Sequence, residues 1–171
     1  MEEWIIPIIA VAVILYILIE VLSAFRIKNA KKSIYDFIAN KGVNVSWGSK
    51  KNCYDYVITN KDNKYYVKLS VIPSNSCVTI NYKDTFVLRY GGTKDQIGRS
   101  YPKERYMNEL VAFLNSSYNG QKIVLFYPST ERVLKYLNES DIGIVNYTDT
   151  PYDMKVMNTD DFKNHFEELI K

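Results

Sequence analysis

Tyr54-Asp55-Tyr56-Val57-Ile58-Thr59-Asn60, a polar turn over residues 61–64, and then Tyr65-Tyr66-Val67-Lys68-Leu69 decide how this chain is read. Both flanks are β-branched and aromatic, and the centre collects Asn60, Asp62 and Asn63, the composition of two antiparallel strands joined by a short loop. Such a hairpin sets Asp55 on one strand and Lys68 on the next. Working outward, residues 43–47 predict a short strand before it. Cys77-Val78-Thr79-Ile80-Asn81-Tyr82 and Thr85-Phe86-Val87-Leu88-Arg89-Tyr90 flank Lys83-Asp84, a connection suited to a second hairpin.

Toward the N-terminus, residues 4–25 form an apolar run broken only by Pro7, Tyr16, Glu20 and Ser23. At 1.5 Å per residue that length crosses a hydrocarbon core of about 30 Å. The flank before it is acidic (Glu2, Glu3) and no small-x-small cleavage pattern follows, so a retained anchor is expected over residues 1–25. Arg26, Lys28, Lys31 and Lys32 come directly after the run, and by the positive-inside rule the chain is expected to cross the cell membrane once, N-terminus out, with residues 26–171 cytoplasmic. Glu20 either snorkels or pairs with Arg26 or Lys28, or marks an intramembrane site. The lipid bilayer is the first expected partner, with Lys28, Lys31 and Lys32 as contacts to anionic headgroups.

The charge balance bears on the second. All 22 Lys and Arg residues follow the apolar run, against 16 of the 19 carboxylates, so the remainder is mildly basic. That permits a polyanionic partner without the dense tracts that make one obvious. Cys53 and Cys77 lack metal-ligand spacing, and the lone His165 supplies neither a zinc site nor a triad.

Further along, residues 29–41 have helical spacing at Ala30, Ile34, Phe37 and Ile38 with Gly42 as the stop. Pro102 is expected to open a helix to Ser116, residues 122–127 to form a buried strand, and Ser129 or Thr130 to cap a helix to Leu137. Residues 141–147 read as a strand, and residues 159–171 as a terminal helix capped by Thr159. Strands first and then alternating helix and strand imply an α/β domain with a sheet of mixed direction.

From about residue 29 to residue 131 this succession resembles the nuclease-related domain, NERD, a branch of the PD-(D/E)xK nuclease superfamily. The resemblance is carried by Tyr54-Asp55-Tyr56-Val57-Ile58, where the family has an Asp followed by apolar strand residues, and by Tyr65-Tyr66-Val67-Lys68, where it has E-x-K. It continues in Tyr101-Pro102-Lys103-Glu104-Arg105, where the family has N-P-x-x-Q, and in the strand over residues 123–127. Bacterial members are often tethered by an N-terminal span. The resemblance implies a restriction-endonuclease-like mixed sheet flanked by helices, Mg²⁺ or Mn²⁺ as cofactor, Asp55 and Lys68 as catalytic residues, Asp55 as metal ligand, and DNA or RNA as partner. The departures are Tyr66 at the motif Glu, Arg105 at the Gln, Tyr101 at the Asn, and Lys31-Lys32-Ser33-Ile34 with only Asp36 nearby where a Gly-Glu belongs.

Phosphodiester hydrolysis on this plan needs a hard cation held by at least two oxygen ligands, with the lysine orienting water. Asp55 is the dependable carboxylate; Asp62 could contribute only by moving in from the turn. The plainer reading makes Asp55 a pre-strand aspartate and Lys68 a lysine with a packed stem. Arg89, Lys94, Arg99, Lys103 and Arg105 gather around a glycine-containing loop before the expected helix start and form the candidate nucleic-acid contacts, set against a solvated loop diluted by Asp95 and Glu104. The expectation is therefore a membrane-anchored nuclease-related protein with an eroded active site, the alternative a non-catalytic module that binds an unidentified protein.

Overall fold

The computed structural model describes residues 5–49, 52–92, 100–138 and 141–171. It opens with α1 (Ile5–Ala39), followed by β1 (Asn44–Trp47), β2 (Tyr56–Asn60), β3 (Asn63–Val71), β4 (Ser76–Tyr82), β5 (Thr85–Tyr90) and β6 (Lys103–Tyr106). Then come α2 (Asn108–Asn115), β7 (Gln121–Tyr127), β8 (Arg132–Tyr136), β9 (Ile142–Ile144), β10 (Met154–Asn158), α3 (Thr159–Asn164) and α4 (Phe166–Leu169). The α/β class holds, but the strands divide into two mixed sheets of five, ordered β1-β2-β3-β7-β10 and β6-β5-β4-β8-β9.

The apolar run and the amphipathic segment after it, read separately in the sequence, form one helix. Arg26-Ile27-Lys28-Asn29 contains no Gly or Pro to interrupt the hydrogen-bond ladder, so nothing stops the first helix before the second begins. Residues 7–29 are exposed, and burial begins at Ala30 and recurs at Ile34 and Ile38, one helical face. The helix is long and apolar enough to cross a membrane. Gly42, at φ +75°, makes the left-handed turn into β1.

Both predicted hairpins form. β2 and β3 pair antiparallel with Tyr56 opposite Val67 and Asn60 opposite Asn63, and β4 pairs with β5 around Lys83-Asp84. β7 lies parallel to β3 on its other side, which required the chain to cross over by way of β4, β5, β6 and α2. One face of the first sheet packs Ile58, Val67, Leu69, Ile123 and Leu125 against Ala30, Ile34 and Ile38 of α1 and against Phe162 and Phe166. The other face packs Val124, Phe126 and Val156 against Leu110, Phe113 and Leu114 of α2 and against Val78, Ile80, Leu88 and Val133 of the second sheet. The domain is thus helices, sheet, and a second layer of sheet with α2 packed into it.

Four elements depart from the sequence reading. Pro102 opens no helix: residues 103–106 form β6, an edge strand paired with β5, and α2 begins only at Asn108. The ladder offered by the β5 edge outweighs the helix propensity of Lys-Glu-Arg, and Pro102 itself disfavours helical backbone at Tyr101. Residues 132–136 form β8, parallel to β4, instead of a helix, because Val133, Leu134 and Tyr136 suit a pleated surface and Val133 completes the second core. The sequence pattern does not predict β10, because its alternation of buried Met154 and Val156 about Lys155 is too short to distinguish from a loop. The terminal helix is two short pieces that meet at His165, and its N-cap is Asn158, not Thr159.

Ile34 is fully buried between α1 and the first sheet. Ile34→Ala is expected to cost about 2–5 kcal/mol of stability, measured by chemical denaturation of the full chain in detergent micelles.

Candidate phosphate-contact site

Asp55 sits at the point where the β1–β2 loop enters β2. The Gly48 N–H donates to the Asp55 carbonyl (2.7 Å) and the Asp55 N–H to the Val67 carbonyl (2.8 Å), which extends the hairpin past its last registered pair. A Cβ at Gly48 would lie 2.2 Å from the Tyr54 carbonyl oxygen, so the loop closes this tightly only with glycine there. Beyond that point the Leu69 N–H, lacking a strand partner on the β2 side, donates to Asp55 Oδ2 (2.9 Å).

Two ammonium groups complete the carboxylate's shell. Lys68 Nζ stands 3.6 Å from Oδ2, the juxtaposition expected from the hairpin, and Lys31 Nζ of α1 stands 2.5 Å from Oδ1. The Asp55 side chain is 7% exposed, those of Lys31 and Lys68 are 31% and 20% exposed, so the anion is buried while both cations keep a foot in water. A buried carboxylate is tolerated when it is paired and hydrogen-bonded in this way. Tyr56 anchors the arrangement from below: its hydroxyl donates to the Lys31 carbonyl (2.8 Å), and burial first, then the charge of Asp55, push its pKa far above the usual phenol range. It acts as a neutral donor that fixes the helix turn carrying Lys31. Lys31, expected from the sequence to meet lipid headgroups, binds Asp55. The signal for this was weak, since Lys31 merely borders the stripe of Ala30, Ile34 and Ile38.

Tyr66, at the position where the nuclease resemblance leads one to expect a glutamate, lies on the same face of β3 as Lys68. Its ring stacks on Tyr118 (centroids 4.5 Å apart, planes at 19°) and meets Tyr54 edge-on at 5.2 Å, while Tyr54 meets Tyr118 at 5.5 Å. Lys122 Nζ lies 5.6 Å from the Tyr118 ring and donates to the Leu114 carbonyl (2.6 Å). Aromatic surface therefore occupies the position where a metal-dependent nuclease site would require a second carboxylate.

Among the described residues no three His, Cys, Asp or Glu side chains converge. Asp62 cannot supply a second ligand, because it occupies the hairpin tip, separated from Asp55 by the five residues of β2, roughly 16 Å of strand. A divalent cation at Asp55 would compete with both lysines for its oxygens, and among the described residues no cluster of three ligating side chains surrounds it. The donor set as arranged does not fit Mg²⁺ or Mn²⁺.

The basic residues proposed to meet nucleic acid do not form one surface. Arg89 Nε pairs with Glu104 (3.3 Å), and Arg105 grips Glu109 through both of its terminal nitrogens at 3.0 Å. Arg89 and Arg105 lie on opposite faces of the second sheet, since Arg105 is opposite Leu88 and Glu104 opposite Arg89. Lys103 is exposed on β6, and Lys94 and Arg99 fall outside the described residues. The helix N-terminus that was to favour phosphate is absent here, because residues 103–106 are strand. His165 stacks on Tyr147 at 3.7 Å and faces Glu168, which gives it a packing role.

No protein family, curated protein or solved structure matches this chain.

Two outcomes test this description. Asp55→Ala is expected to cost about 2–4 kcal/mol in chemical denaturation, because it strands the Leu69 N–H as well as two lysines, and Asp55→Asn, which keeps an acceptor, about half as much. At Glu109, burial pushes the carboxyl upward, but hydrogen bonds and charge from Arg105 overcome it and hold the carboxyl below its ordinary value of 4.5. A depressed carboxyl contributes stability above the unfolded value and loses it as pH falls through the folded one. Acidification from pH 5 toward pH 3 is therefore expected to destabilise the wild type more than Glu109→Gln in paired melts across that range.

Proposed function

We propose that this chain is a single-span membrane protein whose C-terminal domain, on the cytoplasmic side, has a nuclease-related, restriction-endonuclease-like core that binds single-stranded nucleic acid without cutting it. Support for the core comes from the β1-β2-β3 meander, the parallel strand β7 reached through α2, and helices on both faces of that sheet, with Asp55 and Lys68 meeting across the hairpin. The apolar exposed half of α1 and the four cations that follow it support the anchor and its orientation.

The observation that carries the binding reading is the Tyr54–Tyr66–Tyr118 cluster beside Lys68. Exchanging a metal-binding carboxylate for a stacked aromatic removes what hydrolysis needs and supplies what a base needs, a π-face, with an ammonium two residues along the same strand face for the adjoining phosphate. Lys31 adds a second ammonium, so the buried centre carries a net positive charge.

The full chain in detergent micelles, incubated with labelled single- and double-stranded DNA and RNA with and without Mn²⁺, tests this. Expected are intact substrates and salt-sensitive binding that favours single strands, weakened roughly 5- to 100-fold by Tyr66→Ala and reduced in salt slope by Lys68→Ala, with circular dichroism confirming the fold of each variant. Mn²⁺-dependent cleavage abolished by Lys68→Ala would overturn the non-hydrolytic assignment. Absence of binding at low salt would overturn the nucleic-acid reading and leave the protein-interaction module.

A further inference from the structure

The exposure of α1 changes abruptly. Phe25 closes the apolar run, Ala30 is the first residue buried in the domain, and the five helical steps from one to the other advance about 7.5 Å without a break in the helix. No hinge separates the apolar segment from the core, so the domain cannot swing freely beneath it. A second contact fixes the height. The Arg26 guanidinium, one residue past the run, donates to the Ile72 carbonyl (3.1 Å), and the Ile72 N–H donates to the Tyr127 carbonyl (2.8 Å). The β3–β4 connection, with exposed Ser74 and Asn75, and the β7–β8 connection starting at Pro128 therefore reach back along α1 to the level where its apolar surface ends.

The charges divide by side. No acidic residue lies between Glu20 and Asp36, and the four cations there have different duties. Arg26 is bonded to Ile72 and Lys31 to Asp55. Lys28 and Lys32, four residues apart and so on one helix stripe, are exposed on the side turned from Ala30. Among the described residues, Glu131 and Asp160 near this end accept hydrogen bonds from Tyr101 and Ser129. The headgroup layer on each side of a bilayer is roughly 5–7 Å deep, so Lys28 lies within it and the stem of Lys32 reaches back to it.

We infer that the domain is seated by this one end on an anionic bilayer surface, the β3–β4 and β7–β8 connections at headgroup level, with Lys28 and Lys32 contacting lipid phosphate. The inference rests on reading α1 as a membrane span. It specifies which face of the domain meets the lipid and which lysines are free to do so.

The full chain carrying Cys53→Ser, with buried Cys77 retained, is reconstituted into phosphatidylcholine vesicles with or without phosphatidylglycerol and labelled with a fluorophore at Ser74→Cys or, at the opposite end of β4, at Lys83→Cys. Quenching by headgroup-attached spin-labelled lipid is expected to be several-fold stronger at Ser74 than at Lys83 in both vesicles. Phosphatidylglycerol is expected to strengthen it further, and Lys28→Gln and Lys32→Gln each to weaken that added component about fivefold. Equal quenching at both positions, in protein that stays in the vesicles through an alkaline carbonate wash, would overturn the seating. Release by the wash would overturn the span reading itself. Indifference to phosphatidylglycerol or to both lysine substitutions would overturn the phosphate contacts.

Discussion

The ion pair between Lys31 and Asp55 holds the two parts of this molecule in register. It joins a helix whose first half is exposed and apolar to a hairpin that would otherwise end at Tyr56 and Val67. Asp55 uses both oxygens and its backbone N–H at once: toward Lys31, toward Leu69 and Lys68, and toward Val67. A carboxylate this buried is held in place by its partners, since losing any one leaves charge or a polar group without compensation. The helix is further locked by Tyr56 to the Lys31 carbonyl and by Arg26 to the Ile72 carbonyl, so three polar contacts flank the apolar packing of Ala30, Ile34 and Ile38.

The same arrangement governs what the site can do chemically. A carboxylate saturated by two ammonium groups and an amide is a poor cation ligand, and the tyrosine stack beside it gives metal nothing to bind. What remains is a positively charged centre bordered by flat aromatic rings. The arginines on the second sheet follow a different logic. Arg105 clamps β6 to the start of α2 through Glu109, and Arg89 ties β5 to β6 through Glu104, so both work chiefly as internal fasteners of an edge strand.

Local pattern carried the sequence reading as far as local pattern reaches. The two hairpins follow from strict alternation around polar turns, and the meeting of Asp55 with Lys68 follows from the register such a turn imposes. Residues 103–106 and 132–136 are strands where the pattern predicts helix for a common reason: each is a short segment of ambiguous propensity whose state is set by the neighbouring strand, β5 in one case and β4 in the other. The partnership of Lys31 with Asp55 spans 24 positions and leaves no periodic trace. The Tyr54, Tyr66 and Tyr118 cluster was hidden in a chain with 15 tyrosines, where composition offers no way to pick three.

The continuity of α1 has a mechanical consequence. With the proposed span and domain sharing one uninterrupted rod, the protein has no joint at which to absorb a change in membrane thickness. A thinner bilayer, which tilts a long apolar segment, would lean the whole domain through the same angle and lift one rim of its seated end while pressing the other down. Lipid composition and lateral tension would thereby be converted into the attitude of the tyrosine-lined site.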